Sequence, residues 1–336
     1  MMSLAVAGAT AAMLTAVPAL AADISGAGAT FPYPIYAKWA DAYKKETNIG
    51  LNYQSIGSGG GIKQITAKTV TFGASDMPLK GEQLDKDGLV QFPTVMGGVV
   101  PVANIEGLKP GELVLDGDTI AKIFMGQVKT WNDAAIQKLN PSAKLPVQPV
   151  VVVHRSDGSG TTYIFVDYLS KVSPGFKAQV GVNTSVKWPV GVGGKGNEGV
   201  SGLVTQTPGS IGYVELIYAL QNKISVGPVQ NAEGEFVKAS VETVTKAAAA
   251  AATTIPADFR VSITDAKGAG AYPISSFTWI LMYEDPKDRA AGKAMIDFMH
   301  WALTDGQKYC ADLGYAPLPP NVVMLEQVAL DKIKVS

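Results

Sequence analysis

A chain of 336 residues, 47% hydrophobic and 17% charged, can bury the cores of two packed domains and is too apolar for wholesale disorder. With 28 basic residues against 29 acidic ones the formal net charge is −1, which leaves no basic stripe for a nucleic-acid partner. A small anion stays open, because a few local groups suffice to hold one.

In chain order, residues 1–21 read as a cleaved secretion signal rather than a membrane anchor. They carry no charged side chain and close with Ala19-Leu20-Ala21, a small-x-small pattern suited to cleavage before Ala22. No Lys or Arg precedes Lys38, so the basic region that opens such signals is missing, and the expectation is a true start upstream of Met1. A lipid anchor needs a Cys at the new N-terminus, where Ala22 stands, and the single Cys310 permits no internal disulfide. The expected product is periplasmic and unanchored.

Beyond residue 22, strand-like runs at Leu51 to Ile56, Val70 to Phe72, Val147 to Val153 and Thr278 to Tyr283 alternate with amphipathic stretches. The helices expected are Pro34 to Lys45, Thr119 to Met125, Thr161 to Val172, Val200 to Thr205, Ala247 to Ala252 and Pro286 to Thr304. The last would have Asp285 as its N-cap and Pro286 at its first position. This alternation predicts an α/β architecture with mainly parallel sheets. Gly97 to Val102 looks like a strand leaving one domain for another, and Lys267 to Ala271 like the path back. No internal repeat stands out.

One local design occurs three times: a strand-like run, a loop of glycines and hydroxyls, then a helix. The loops are Ser25 to Phe31, Ile56 to Gly61 and His154 to Thr161. The first N–H groups of a helix lack intrahelical partners and sit at the positive end of its dipole. Glycines let an oxyanion approach that backbone, and Ser or Thr add donors without charge. Three such loops at the carboxyl ends of strands point to a polyatomic anion. Alternation along the strand before the third loop puts Arg155 and Asp157 on one side and His154 on the other. Arg155 could then grip an oxyanion with two parallel hydrogen bonds while Asp157 holds it in place.

Catalysis is the minority reading of these residues, because the familiar enzyme motifs are incomplete. Gly193-Gly194-Lys195-Gly196-Asn197 lacks the Ser or Thr that must follow a P-loop Lys, and reads as a helix entry with Asn197 as a possible N-cap. Ser58 and Ser159 do not sit in G-x-S-x-G, because Ile56 and Asp157 occupy the first glycine's place. No His, Asp and Glu cluster has metal-ligand spacing, so neither metal nor cofactor is expected.

The residues resemble a known family. Gly26 to Pro32, Gly57 to Gly60, Phe72 to Asp76, Gln91 to Val95, Arg155 to Thr161 and Gly194 to Asn197 are similar to segments of the periplasmic phosphate-binding protein of the bacterial phosphate ABC importer. The likeness runs from about Ile24 to about Val323. It implies a type II two-domain clamshell with a mixed, mainly parallel sheet in each domain. The expected division is 22–104 plus 273–336 for the first domain and 105–272 for the second. It implies a non-enzymatic binding protein, expected to be a monomer, that hands phosphate to membrane permease and ATPase subunits. A phosphatase using the same cradle is the alternative. The implied ligands are Thr30, Phe31, Ser58 and Asp76 from one domain, and Arg155, Asp157, Ser159, Gly160 and Thr161 from the other. Phe31 and Gly160 would offer backbone N–H groups; Thr30, Ser58, Ser159 and Thr161 would offer hydroxyls. Asp76 would accept the proton that phosphate carries and sulfate lacks.

Overall fold

The computed structural model describes residues 23–108, 111–249, 251 and 255–335. The expected signal lies outside these residues, as do Ala22 and positions 250 and 252 of the Ala-rich run. The chain opens with β1 (Ile24–Gly28), α1 (Tyr33–Thr47), β2 (Leu51–Ser55), α2 (Ser58–Thr66), β3 (Phe72–Ser75), α3 (Gly81–Asp87) and the long β4 (Leu89–Asn104). There follow α4 (Gly117–Phe124), α5 (Ala134–Leu139), β5 (Val151–Arg155), α6 (Gly160–Val172), α7 (Pro174–Gln179), β6 (Val192–Gly194) and α8 (Gly196–Gln206). Next come β7 (Ser210–Glu215), α9 (Leu216–Gln221), β8 (Ser225–Val226), β9 (Val229–Gln230), β10 (Phe236–Val237) and α10 (Val241–Ala249). The chain closes with β11 (Ser275–Tyr283), α11 (Arg289–Leu303) and α12 (Pro320–Leu330).

One sheet runs through the molecule in the order β2-β1-β3-β11-β4-β7-β5-β6, with β8 also on β4. The strand β4 belongs to both halves: its first part pairs with β11 up to Gly98, and from Val99 it pairs with β7. In the first half only β11 runs against its neighbours, and in the second only β4 does. Each half is therefore mixed and mainly parallel in direction. The order β2-β1-β3-β11 is repeated as β6-β5-β7-β4, so the topology doubles where the sequence shows no repeat.

Periodicity accounts for the helices that flank the sheet. In α1, Ile35, Tyr36, Trp39, Ala42 and Tyr43 form one buried face. The helix stops at Asn48 in the left-handed region, with Lys44 and Lys45 in its last turn, where the dipole favours cations.

Several expected boundaries move. The strand expected at Val147 starts only at Val151 and runs on to Arg155, because Pro146 and Pro149 cannot donate to a ladder and Val147 stands exposed. The run at Val70 to Phe72 becomes a strand only from Phe72, and carries on to Ser75. The last long helix begins at Arg289. Its N-cap is Asp288, whose carboxylate accepts from Ala291 N, while Asp285 pairs with Arg289 at 2.6 Å instead. Gly26 and Gly28, assigned to the first loop, lie inside β1, where Gly26 leaves room for the Phe72 ring. Likewise Asn197 does not cap α8; Lys195 stands at that position, and the Asn197 side chain is engaged elsewhere.

Candidate functional site

The carboxyl ends of β1, β2 and β3 face those of β5, β6 and β7, and the halves touch across the gap. Gly59 N donates to Gly158 O at 2.8 Å, and Asn197 Nδ2 donates to Thr30 Oγ1 at 2.7 Å. Tyr218 of α9 donates to Thr30 O at 2.6 Å. Everything the sequence proposed as a ligand lies along this seam. Thr30, Phe31, Ser58, Asp76, Arg155, Ser159, Gly160 and Thr161 are buried, and Asp157 is partly so.

Arg155 ends β5, and the strand phase read from the sequence holds. Its guanidinium forks onto Asp157, Nε to Oδ1 at 2.8 Å and Nη2 to Oδ2 at 2.5 Å, and Nη1 donates to Thr161 Oγ1 at 3.3 Å. Burial pulls the Asp157 carboxyl upward. The Arg155 pair and the Gly196 N–H outweigh that and hold it below the usual carboxylate range. His154 turns the other way and stacks on Trp188, ring centroids 5.3 Å apart.

Four hydroxyls line the seam, and each oxygen accepts an N–H from the protein. Thr30 Oγ1 accepts from Asn197 N and Nδ2, and Ser58 Oγ from Asp76 N. Ser159 Oγ caps α6 by accepting from Thr162 N, and Thr161 Oγ1 accepts from Arg155 and Asn197. A hydroxyl has one hydrogen, and where its oxygen already accepts from an N–H that hydrogen stays available to donate to a ligand. Each of the four can thus act as a donor.

The exception is Asp76, just past β3. Its Oδ1 accepts from Thr278 at 2.7 Å, whereas Oδ2 is buried with no partner among the described residues. Burial pushes this carboxyl up to about 7, against the pull of Thr278, Arg155 and Ser58. Gly160 faces it across the seam so closely that a Cβ there would collide with Ser58 Oγ and the Asp76 carboxyl. The arrangement is a ring of N–H and O–H donors around one guanidinium, interrupted by one acceptor oxygen.

Two seam residues escaped the sequence reading. Asn197, taken for a cap, ties Thr30 of the first half to Thr161 of the second and also accepts from Glu215 N at 3.0 Å. Thr278 arrives from β11 and carries no local motif. The segment Gly194 to Asn197 was the one available signal for the former. Among the described residues, no group of three or more His, Cys, Asp or Glu could hold a metal, and no helix is long and apolar enough to cross a membrane.

Comparison with known proteins gives the family and the fold. A family model described as a PBP superfamily domain matches residues 14–305. The phosphate-binding protein PstS of Xylella fastidiosa (strain Temecula1) is 53% identical, with 89% of this chain and 82% of that one covered. PstS of Haemophilus influenzae is 50% identical, with 91% of each chain covered. A crystal structure of a phosphate-binding protein from Stenotrophomonas maltophilia shares the fold at a TM-score of 0.67. It is 20% identical, with 92% of this chain and 94% of that one covered. The chain belongs to the PBP superfamily and, within it, to the family of PstS phosphate-binding proteins.

Proposed function

We propose that this protein binds one inorganic phosphate between its two halves and delivers it to the permease and ATPase subunits of a membrane ABC importer, without turning it over. The observation that carries this reading is the pairing of the four seam hydroxyls, each accepting from a protein N–H group and so keeping its hydrogen available toward the gap. Thr30, Ser58, Ser159 and Thr161 donate their hydroxyl hydrogens, and Phe31 and Gly160 their backbone N–H groups. Arg155, held by Asp157, supplies the positive charge, and Asp76 accepts a proton from the ligand. The halves divide as 22–104 plus 273–336 and 105–272, with β4 crossing between them, its partner changing after Gly98 and so ahead of that boundary. The product, cleaved before Ala22, acts as an unanchored periplasmic monomer. Calorimetry on the purified protein should give one phosphate per molecule, and incubation with phosphomonoesters should release none. Steady hydrolysis that disappears in Ser58→Ala or Ser159→Ala would establish a phosphatase instead.

Closure on the ligand has its own test. A methyl group on Gly160 would fill the space between Ser58 and Asp76, and overpacking of this type costs about 1–3 kcal/mol. Phosphate should shrink the radius of gyration of the wild type in small-angle scattering. In Gly160→Ala it should bind about 5- to 150-fold more weakly and compact the molecule less. Equal affinity in the variant would mean that the seam never closes to the distance seen here.

A further inference from the structure

We infer that Thr278 sets how Asp76 reads its ligand: its hydroxyl, aimed by a bulge in β4, holds one carboxylate oxygen and leaves the other as the acceptor facing the anion. This rests on the phosphate reading above and extends it to a residue behind the site. Thr278 Oγ1 donates to Asp76 Oδ1 at 2.7 Å, and both residues are buried. The pairing of β11 with β4 slips at this point. Thr278 is opposite Val95 and Trp279 opposite Pro93, which leaves Thr94 as an extra residue in β4. Bulges beside sites re-aim side chains, and Pro93 is tolerated in a ladder that is interrupted there. Thr94 Oγ1 in turn donates to Thr278 O at 3.3 Å and shares a hydrogen bond with Tyr36 at 2.8 Å. Gln91 secures the segment after Asp76, accepting from Leu79 N at 2.8 Å and donating to Leu79 O at 3.1 Å. The stretch Gln91 to Val95, which supplies none of the proposed ligands, is thereby explained as the floor beneath Asp76.

A donor on Oδ1 favours the ionised carboxyl, the form that can only accept. The charged and titratable groups around Asp76 are Arg155 at the end of β5, Glu215 at the end of β7, Tyr36 of α1, Tyr53 of β2 and Tyr315 after α11. Burial pushes Glu215 and the three tyrosines upward, so the tyrosines stay neutral where Asp76 titrates. Phosphate brings a proton for Oδ2. Sulfate brings none, so it fits only when Asp76 has taken up a proton from solvent. Sulfate affinity should therefore fall about tenfold per pH unit above the Asp76 midpoint, while phosphate affinity changes much less.

Removing the Thr278 hydroxyl takes away one of the groups that hold the carboxyl down. Its midpoint then rises, and the sulfate profile moves to higher pH with its slope unchanged. The test is competition calorimetry of phosphate and sulfate from about pH 6 to about pH 9. Thr278→Val should bind sulfate about tenfold more tightly than wild type at about pH 8. Thr278→Ala, which cannot overpack, should behave in the same way, and Thr278→Ser should restore the wild-type profile. A purely structural role for Thr278 would weaken both anions alike and leave the midpoint in place. If both variants keep the wild-type sulfate profile while Asp76→Asn flattens it, the inference about Thr278 falls and the phosphate reading stands. A wild-type protein that binds no phosphate overturns the reading itself.

Discussion

Arg155→Ala should weaken phosphate binding by about 2–5 kcal/mol, or roughly 30-fold to several thousandfold, the range for truncating one side of a buried charge pair. Three of its N–H groups are already engaged, two by Asp157 and one by Thr161, which fixes the fork and leaves its remaining hydrogens for the anion. The truncation does more than delete a cation. It leaves the Asp157 carboxyl without the partner that offsets its burial, a short distance from where the anion sits. Arg155→Lys keeps the charge but loses the fork, and should fall between wild type and Ala. His154→Ala is the neighbouring control. Its ring lies against Trp188, away from the seam, and affinity measured by calorimetry should stay within about threefold of wild type. A larger loss from His154→Ala than from Arg155→Ala would mean that the strand presents its other face to the ligand.

Asp76→Asn should lose discrimination rather than phosphate affinity. In the wild type at about pH 8, sulfate leaves its own oxygen facing Oδ2 in a desolvated gap. An unpaired buried group costs about 1–3 kcal/mol, and more when charged. An amide at this position can turn a donor toward sulfate, so sulfate should bind about 10- to 100-fold more tightly. Phosphate should lose less, because it accepts from the amide as readily as it donated to the carboxylate. The pH dependence of sulfate binding should vanish with the titrating group. The burial of Asp76 places the wild-type transition near neutrality, well above the range of an exposed carboxyl, so preference for phosphate should strengthen as pH rises through about 7. Titrations of both anions across that interval decide the matter. An unchanged preference in Asp76→Asn would leave Asp76 a structural role only.

What could be read from the sequence was local. A glycine-and-hydroxyl turn before an amphipathic helix is visible within ten residues, and so is the alternation that puts Arg155 and Asp157 on one side. What could not be read acts across the chain. Asn197 reaches Thr30 over 167 positions, and Thr278 reaches Asp76 over 202, with no spacing rule to announce either. Boundaries moved where two residues of one type competed for one job, as Asp285 and Asp288 did for the cap of α11. Glycines assigned to loops proved to serve packing: Gly61 sits in α2 against the backbone of Gly28, where a Cβ would not fit. The doubled topology left no trace in residue identities, because the two copies of the strand order share a path and not side chains.

The place of β11 between β3 and β4 also decides when the molecule can fold. A chain delivered from its N-terminus makes β1, β2, β3 and β4 early, yet the strand that joins β3 to β4 comes only after the whole second half. Until then the sheet of the first half has a gap at its centre and its strands have open edges. Loop closure over so long a separation is slow, and pairings of high sequence separation form late. The second half takes its edge from β4 and draws only on strands that precede β11, so its ladder can close before that of the first half. The same strand arrangement that joins the halves in the finished protein keeps the first half of the growing chain open until β11 emerges.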